Sequence, residues 1–183
     1  MLNSPLENSA IFNLGWLQAR PRVTQKFGND FTINGKWVYR EMGLEGHNGI
    51  DFGCPIGTKV FAPMSGYIKV KNSGNGGYGL HVRIRSPFRG LEIVLGHLSE
   101  VKVSDSQIIN AGDLIGYSGN TGFSTGDHIH LGVRSIKAPN NAKLHDSSVW
   151  DWPVMGYDNG YYGYWDCLDF LIAFKGTLVK NSL

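Results

Sequence analysis

Between Ile50 and about Ile136 the apolar residues come in short runs, each cut off by Gly, Pro, Asn or Ser. The runs Lys59–Ala62, Gly66–Lys71, His81–Arg85, Glu92–His97, Asp113–Tyr117 and His128–Arg134 read as strands. Their spacing is roughly the 8–12 residues of an all-β domain. No long apolar pattern of period 3.6 interrupts them. The fold expected is therefore mainly β. Upstream, Arg22–Phe27 alternates and reads as a further strand ending at Gly28-Asn29-Asp30, and the polar stretch 31–46 reads as a loop. Downstream, the segment Trp150–Trp165 is dense in Trp, Tyr and Gly. Such aromatics more often close a hydrophobic face than stack on a glycan. Leu168–Phe174 reads as a short helix.

Composition narrows the class without changing this picture. Hydrophobic residues make up 42% and charged residues 17% of the 183 positions, which excludes a disordered chain and suffices to build one core. One domain spanning 1–183 is expected. A net charge of +2 gives no case for nucleic acid. The charge is uneven, with 15 Lys/Arg against 10 Asp/Glu over residues 1–143 and five Asp without Lys or Arg over 144–174. Solvated surface charge accounts for that as well as an acidic polymer does. No run reaches the roughly 20 apolar residues of a membrane span. The first twenty residues lack a basic start followed by an apolar stretch, so no signal peptide is expected. Cys54 and Cys167 stand far apart, form no CxxC pair, and read as small buried apolar residues.

The chemistry concentrates in histidine and aspartate. His47 and Asp51 form H-x-x-x-D within Gly46-His47-Asn48-Gly49-Ile50-Asp51-Phe52-Gly53. The glycines disfavour a helix, and by itself the pattern also fits an ordinary turn. His128-Ile129-His130 is H-x-H on an alternating segment, so both imidazoles share one face, about 6–7 Å apart, with Ile129 turned to the core. His97, in Gly96-His97-Leu98-Ser99, would alone read as structural, as do His81 and His145.

Taken in order, Gly-His-Asn-Gly-Ile-Asp-Phe-Gly, Gly-His-Leu-Ser and Gly-Asn-Thr-Gly-Phe-Ser-Thr-Gly-Asp-His-Ile-His-Leu resemble the lysostaphin-type zinc endopeptidases, which cut the peptide part of bacterial peptidoglycan. The likeness runs from about Val23 to Val133, within a family-like core of about 22–137. It takes in Val60-Phe61-Ala62-Pro63-Met64-Ser65-Gly66 and Ala111-Gly112-Asp113-Leu114-Ile115-Gly116. It implies a narrow groove over a zinc ion held by His47, Asp51 and His130. It also implies His97 and His128 as the acid–base pair; His128 is assigned as the base because its strand neighbour is on the metal, with the exchange of the two roles as the alternative. Peptidoglycan peptides are the implied substrate and a monomer the default state. Two positions depart from the pattern: Leu95 stands where many members carry an aromatic residue, usually Tyr, and Asp127 where Pro is frequent.

Three other readings compete. A catalytically inactive wall-binding or regulatory module would keep the fold, and some family members lack ligands. A biotinyl or lipoyl carrier shares the Ala-Pro-Met-Ser-Gly and Ala-Gly-Asp hairpin halves but needs an exposed lysine turn, whereas Lys69 and Lys71 lie within a predicted strand. A structural zinc site wants four closed ligands. The absence of a leader suits a phage-encoded lytic enzyme acting on the wall.

Overall fold

A computed structural model describes residues 17–18, 21–139 and 147–167. Twelve strands follow in chain order. They are β1 (Arg22–Gln25), β2 (Thr32–Ile33), β3 (Lys36–Trp37), β4 (Ile50–Gly53), β5 (Lys59–Phe61) and β6 (Gly66–Asn72). After them come β7 (Leu80–Ser86), β8 (Leu91–Gly96), β9 (Leu98–Val101), β10 (Ile108–Ile109), β11 (Leu114–Ser118) and β12 (His128–Ser135). The one α-helix among the described residues is a single turn, α1 (Val38–Glu41). Mainly β, as expected, the chain pairs its strands antiparallel throughout.

Seven strands form one sheet in the order β1-β4-β12-β8-β7-β6-β10, and three form a second, β5-β11-β9. The core lies between them. Ile50, Phe52, Val82, Ile84, Ile93, Leu95, Ile129, Leu131 and Val133 of the large sheet meet Val60, Leu98 and Ile115 of the small one. Each is about 1% exposed or less. Cys54 and Cys167 join this cluster as free, buried thiols, the role read from the sequence.

Residues 31–46 depart from the expected loop: they form the β2–β3 hairpin and α1. The turn residues Asn34 and Gly35 both take positive φ, which closes a hairpin too short to show an apolar period. Asp30 stabilises the start, its carboxylate accepting from the backbone N–H of Phe31 and Tyr39. Strands β4, β9 and β10 were also not separate in the sequence pattern. The helix expected at Leu168–Phe174, and His145, lie outside the described residues. Among the described residues, no helix is long and apolar enough to cross a membrane.

The second face of the large sheet is polar yet buried. Every second residue points to it, and the segment 147–165 covers it. Trp152 and Tyr164 are nearly inaccessible there, so part of the aromatic tail closes a face as expected. Gly132 makes room for this cover: a Cβ would stand 2.9 Å from the Tyr164 ring. Beneath lies Glu92, fully buried, with its carboxylate held by three arginines. Arg85 Nε is 2.5 Å from Oε2, Arg134 Nη2 2.7 Å from Oε1 and Arg83 Nη1 3.2 Å from Oε1. Removing one member of such a buried set strands the others without a counter-charge. Glu92→Ala is therefore expected to cost about 3–5 kcal/mol of folding stability, measured by urea denaturation.

Candidate metal centre

Asp51 and His130 reach the centre because β4 and β12 pair in the register that sets them directly opposite one another. On the other flank His130 faces Gly96 of β8, whose missing side chain leaves the imidazole its space. His47 arrives from the loop before β4 and is clamped by the turn after β1. Its backbone N–H donates to the Asn29 carbonyl, its own carbonyl accepts from Gly28, and its Nδ1 lies 3.1 Å from the Lys26 carbonyl. Gly46 is needed for this approach, since a Cβ there would strike the Gly28 backbone.

The three side chains converge. His47 Nε2 lies 3.0 Å from His130 Nδ1, His130 Nδ1 3.0 Å from Asp51 Oδ1, and His47 Nε2 3.2 Å from Asp51 Oδ1. All three are at most 7% exposed. With its Nδ1–H donated to Lys26, neutral His47 turns the Nε2 lone pair inward. Three lone-pair-bearing atoms in so tight a triangle repel unless protons or a cation sit among them. Two imidazole nitrogens and a carboxylate oxygen are a donor set for a divalent metal, and the three form a metal-ligating group by geometry. His130 Nε2 is buried without a hydrogen-bond partner, consistent with a ring oriented by its other nitrogen.

His97 and His128 stand beside this triangle, their rings 4.5 Å apart. His97 occupies the corner where the chain leaves β8 for β9, in the left-handed region at φ 62°. That conformation is strained for a residue with a Cβ. It is fixed by a backbone bond to the Tyr78 carbonyl and by Nδ1 at 2.7 Å from the Thr121 carbonyl. His128 places Nδ1 2.7 Å from the Gly126 carbonyl and Nε2 3.4 Å from Asp51 Oδ2. Both imidazoles thus commit Nδ1–H to backbone and present Nε2. All five positions read from the sequence meet at one place.

Electrostatics follow burial. Desolvation lowers the pKa of His97, and separately that of His130, to about 4. For Asp51 burial alone acts upward. Hydrogen bonds and charge from His130 and His47 outweigh it and hold the carboxyl well below its usual range. Tyr39 is pushed above its ordinary value by burial and by the Asp51 charge.

The centre forms the floor of a cleft of about 450 Å³. It is lined by Phe31, Tyr39, Met42 and Leu44 from the segment 31–46, and by Tyr78, Phe123, Ser124 and Thr125. Arg83 and Tyr162 line it as well. Leu95 is fully buried in the core, so no hydroxyl comes from that position. Tyr78 and Tyr39 bring phenols instead, with rings 4.8 Å from His130 and 5.4 Å from His47. Sequence reading missed both, because Tyr39 sat in an apparent loop and Tyr78 in a glycine-rich turn.

Residues 45–143, more than half the chain, match the family described as Peptidase family M23. Over 95 residues the chain is 40% identical to the DD-carboxypeptidase/endopeptidase Mpg of Neisseria meningitidis serogroup B, covering 52% of this chain and 21% of that protein. Over 106 residues it is 38% identical to the peptidoglycan DD-endopeptidase ShyA of Vibrio cholerae, covering 52% and 22%. The chain thus spans about a fifth of the length of these curated relatives. Among solved structures, the catalytic domain of the antimicrobial peptidase lysostaphin from Staphylococcus simulans superposes with a TM-score of 0.61 at 25% identity. That match covers 88% of this chain and 98% of the other.

Two outcomes are expected. A Cβ at Gly49 would land on the His130 ring, so Gly49→Ala should lose bound metal, by elemental analysis, while circular dichroism keeps the β signature. Metal-free protein should lose stability as pH falls from 6.5 toward about 4. The sign follows because unfolded histidines take up protons in that window while His97 and His130 stay neutral in the fold. Thermal melts across pH 7 to 4 check it.

Proposed function

The chain belongs to peptidase family M23, and from that premise we propose that it is a zinc-dependent endopeptidase hydrolysing peptide bonds of bacterial peptidoglycan. The observation that carries the reading is the triangle of His47, Asp51 and His130 donors on the floor of an open cleft, with two further imidazoles presenting Nε2 beside it. Zinc–nitrogen and zinc–oxygen bonds of about 2.0–2.2 Å put the donors of one tetrahedral face about 3.3–3.6 Å apart. The separations of 3.0–3.2 Å fall just short, so the donors need spread by only a few tenths of an ångström. Three ligands also leave a vertex for water, the mark of a catalytic rather than a structural site. When bound, zinc supplies Lewis acidity that lowers the pKa of water toward neutrality.

His47, Asp51 and His130 would hold the metal, and the rest of the work falls to the chain's other groups. Among the described residues no glutamate lines the cleft, so imidazoles handle the protons. His128 takes the proton of the attacking water. Its Nε2 stands 3.4 Å from Asp51 Oδ2. His97 enters neutral, because burial holds it to about 4. Its Nε2 therefore accepts the proton that His128 took from water, between rings 4.5 Å apart, and passes it to the leaving amine, which returns both imidazoles to neutral. Tyr39, which keeps its proton, donates a hydrogen bond to Gln25 Oε1 3.2 Å away and stands beside His47. The substrate peptide lies extended in the aromatic-lined cleft. We read the chain as one peptidase domain working on the wall.

The division of labour is tested by substitution. His130→Ala and Asp51→Ala should abolish both bound zinc and release of peptides from purified peptidoglycan. His97→Ala and His128→Ala should keep zinc, by metal analysis, and lower turnover by roughly 10²–10⁴. Zinc loss in His97→Ala, or full activity in a chelator-treated sample, would overturn the assignment.

A further inference from the structure

Glu92 cancels one positive charge of a cluster that holds three guanidiniums, those of Arg83, Arg85 and Arg134. Two of the three direct their other N–H groups inward. Arg85 Nη1 donates to the carbonyls of Val149, Trp150 and Trp152, and Arg134 Nη1 to that of Tyr162. Arg83 differs. Its hydrogen bond to Glu92 comes from Nη1 alone, and its Nε is buried without a partner. A quarter of its side chain stays exposed, and it lines the cleft that holds the metal triangle.

An arginine fork that is only part used, set over a net positive cluster in a partly desolvated groove, is complementary to an anion. Its planar donors suit a carboxylate. Register gives the distance. Arg83 pairs with Val94, two residues along β8 from Gly96, which faces His130, and β7 lies two strands away from β12. The two Cα atoms are then about 12 Å apart by strand rise and strand spacing. That separation is the length of about three to four residues of extended peptide.

We propose that Arg83 is a specificity residue that binds a free carboxylate of the peptide substrate, directing the enzyme to stem-peptide crosslinks rather than to uncharged glycine bridges. This rests on the peptidoglycan reading above. The carboxylate is either the terminal α-carboxylate of a stem peptide or one on a side chain. The probe is a synthetic crosslinked stem-peptide dimer with both free, beside two versions in which one or the other is amidated.

With the full zinc-loaded chain, amidating the group that Arg83 reads should lower kcat/KM about 10- to 100-fold. In Arg83→Gln the preference for carboxylate over amide should fall toward unity, and Arg83→Lys should keep part of it. Binding of the same three peptides to metal-free protein, by calorimetry, should show the same order without any cleavage. Zinc content and melting temperature of each variant separate a lost contact from a lost fold. Wild-type protein treating all three peptides alike, or a preference that survives Arg83→Gln, overturns the proposal. If no wall peptide is cut, the peptidase reading falls, and the binding series still decides whether Arg83 reads a carboxylate.

Discussion

The register of β12 against its two neighbours is the constraint on which the rest depends. One strand, His128–Ser135, sets His130 opposite Asp51 on one side and opposite Gly96 on the other. A slip of a single residue would send Ile129, Leu131 and Val133 to the polar face and bury His128 and His130 between the sheets. The cost of exposing three fully buried aliphatic side chains, roughly 1.5–3 kcal/mol each, holds the histidines in place. The hydrophobic core thus aims the site.

A second constraint follows from the first. If the core takes one face of the large sheet, the charged residues of β7, β8 and β12 must share the other face. That face is not solvated: the 147–165 segment covers much of it, and charges beneath that cover must be matched. Arg83, Arg85 and Arg134 gather around Glu92 for this reason, with Trp150 and Tyr164 stacked on the guanidiniums. The same face carries the triangle of His47, Asp51 and His130 and the arginine cluster, and Arg83 belongs to both the cluster and the cleft.

Much of this was legible in residue order. Gly, Pro and Asn mark the turns, and seven predicted runs correspond to strands within a residue or two at each end. Strand periodicity alone puts His128 and His130 on one face, and Gly-His-Leu marks His97 through its company rather than its chemistry. The segment 31–46 was not legible, because a two-residue hairpin and a single helical turn are too short for a period to emerge. Tyr39 and Tyr78 stayed hidden for the same reason. Arg83 was hidden differently: an arginine at every second position of a strand looks like a solvent face, and only the cover from residues 147–165 makes it a buried one.

Residue order by itself therefore determined the class of fold, which residues are candidates for holding a metal and the face on which the H-x-H pair stands. Those depend on local periodicity and on side-chain chemistry, which a linear text preserves. Tertiary structure alone decided that His47, Asp51, His97, His128 and His130, up to 83 positions apart, meet within one cleft. It also decided which nitrogen of each ring faces inward, and that one of three clustered arginines is left with donors to spare. Convergence, tautomer and leftover charge are properties of distances through space, set by the pairing of strands remote in sequence.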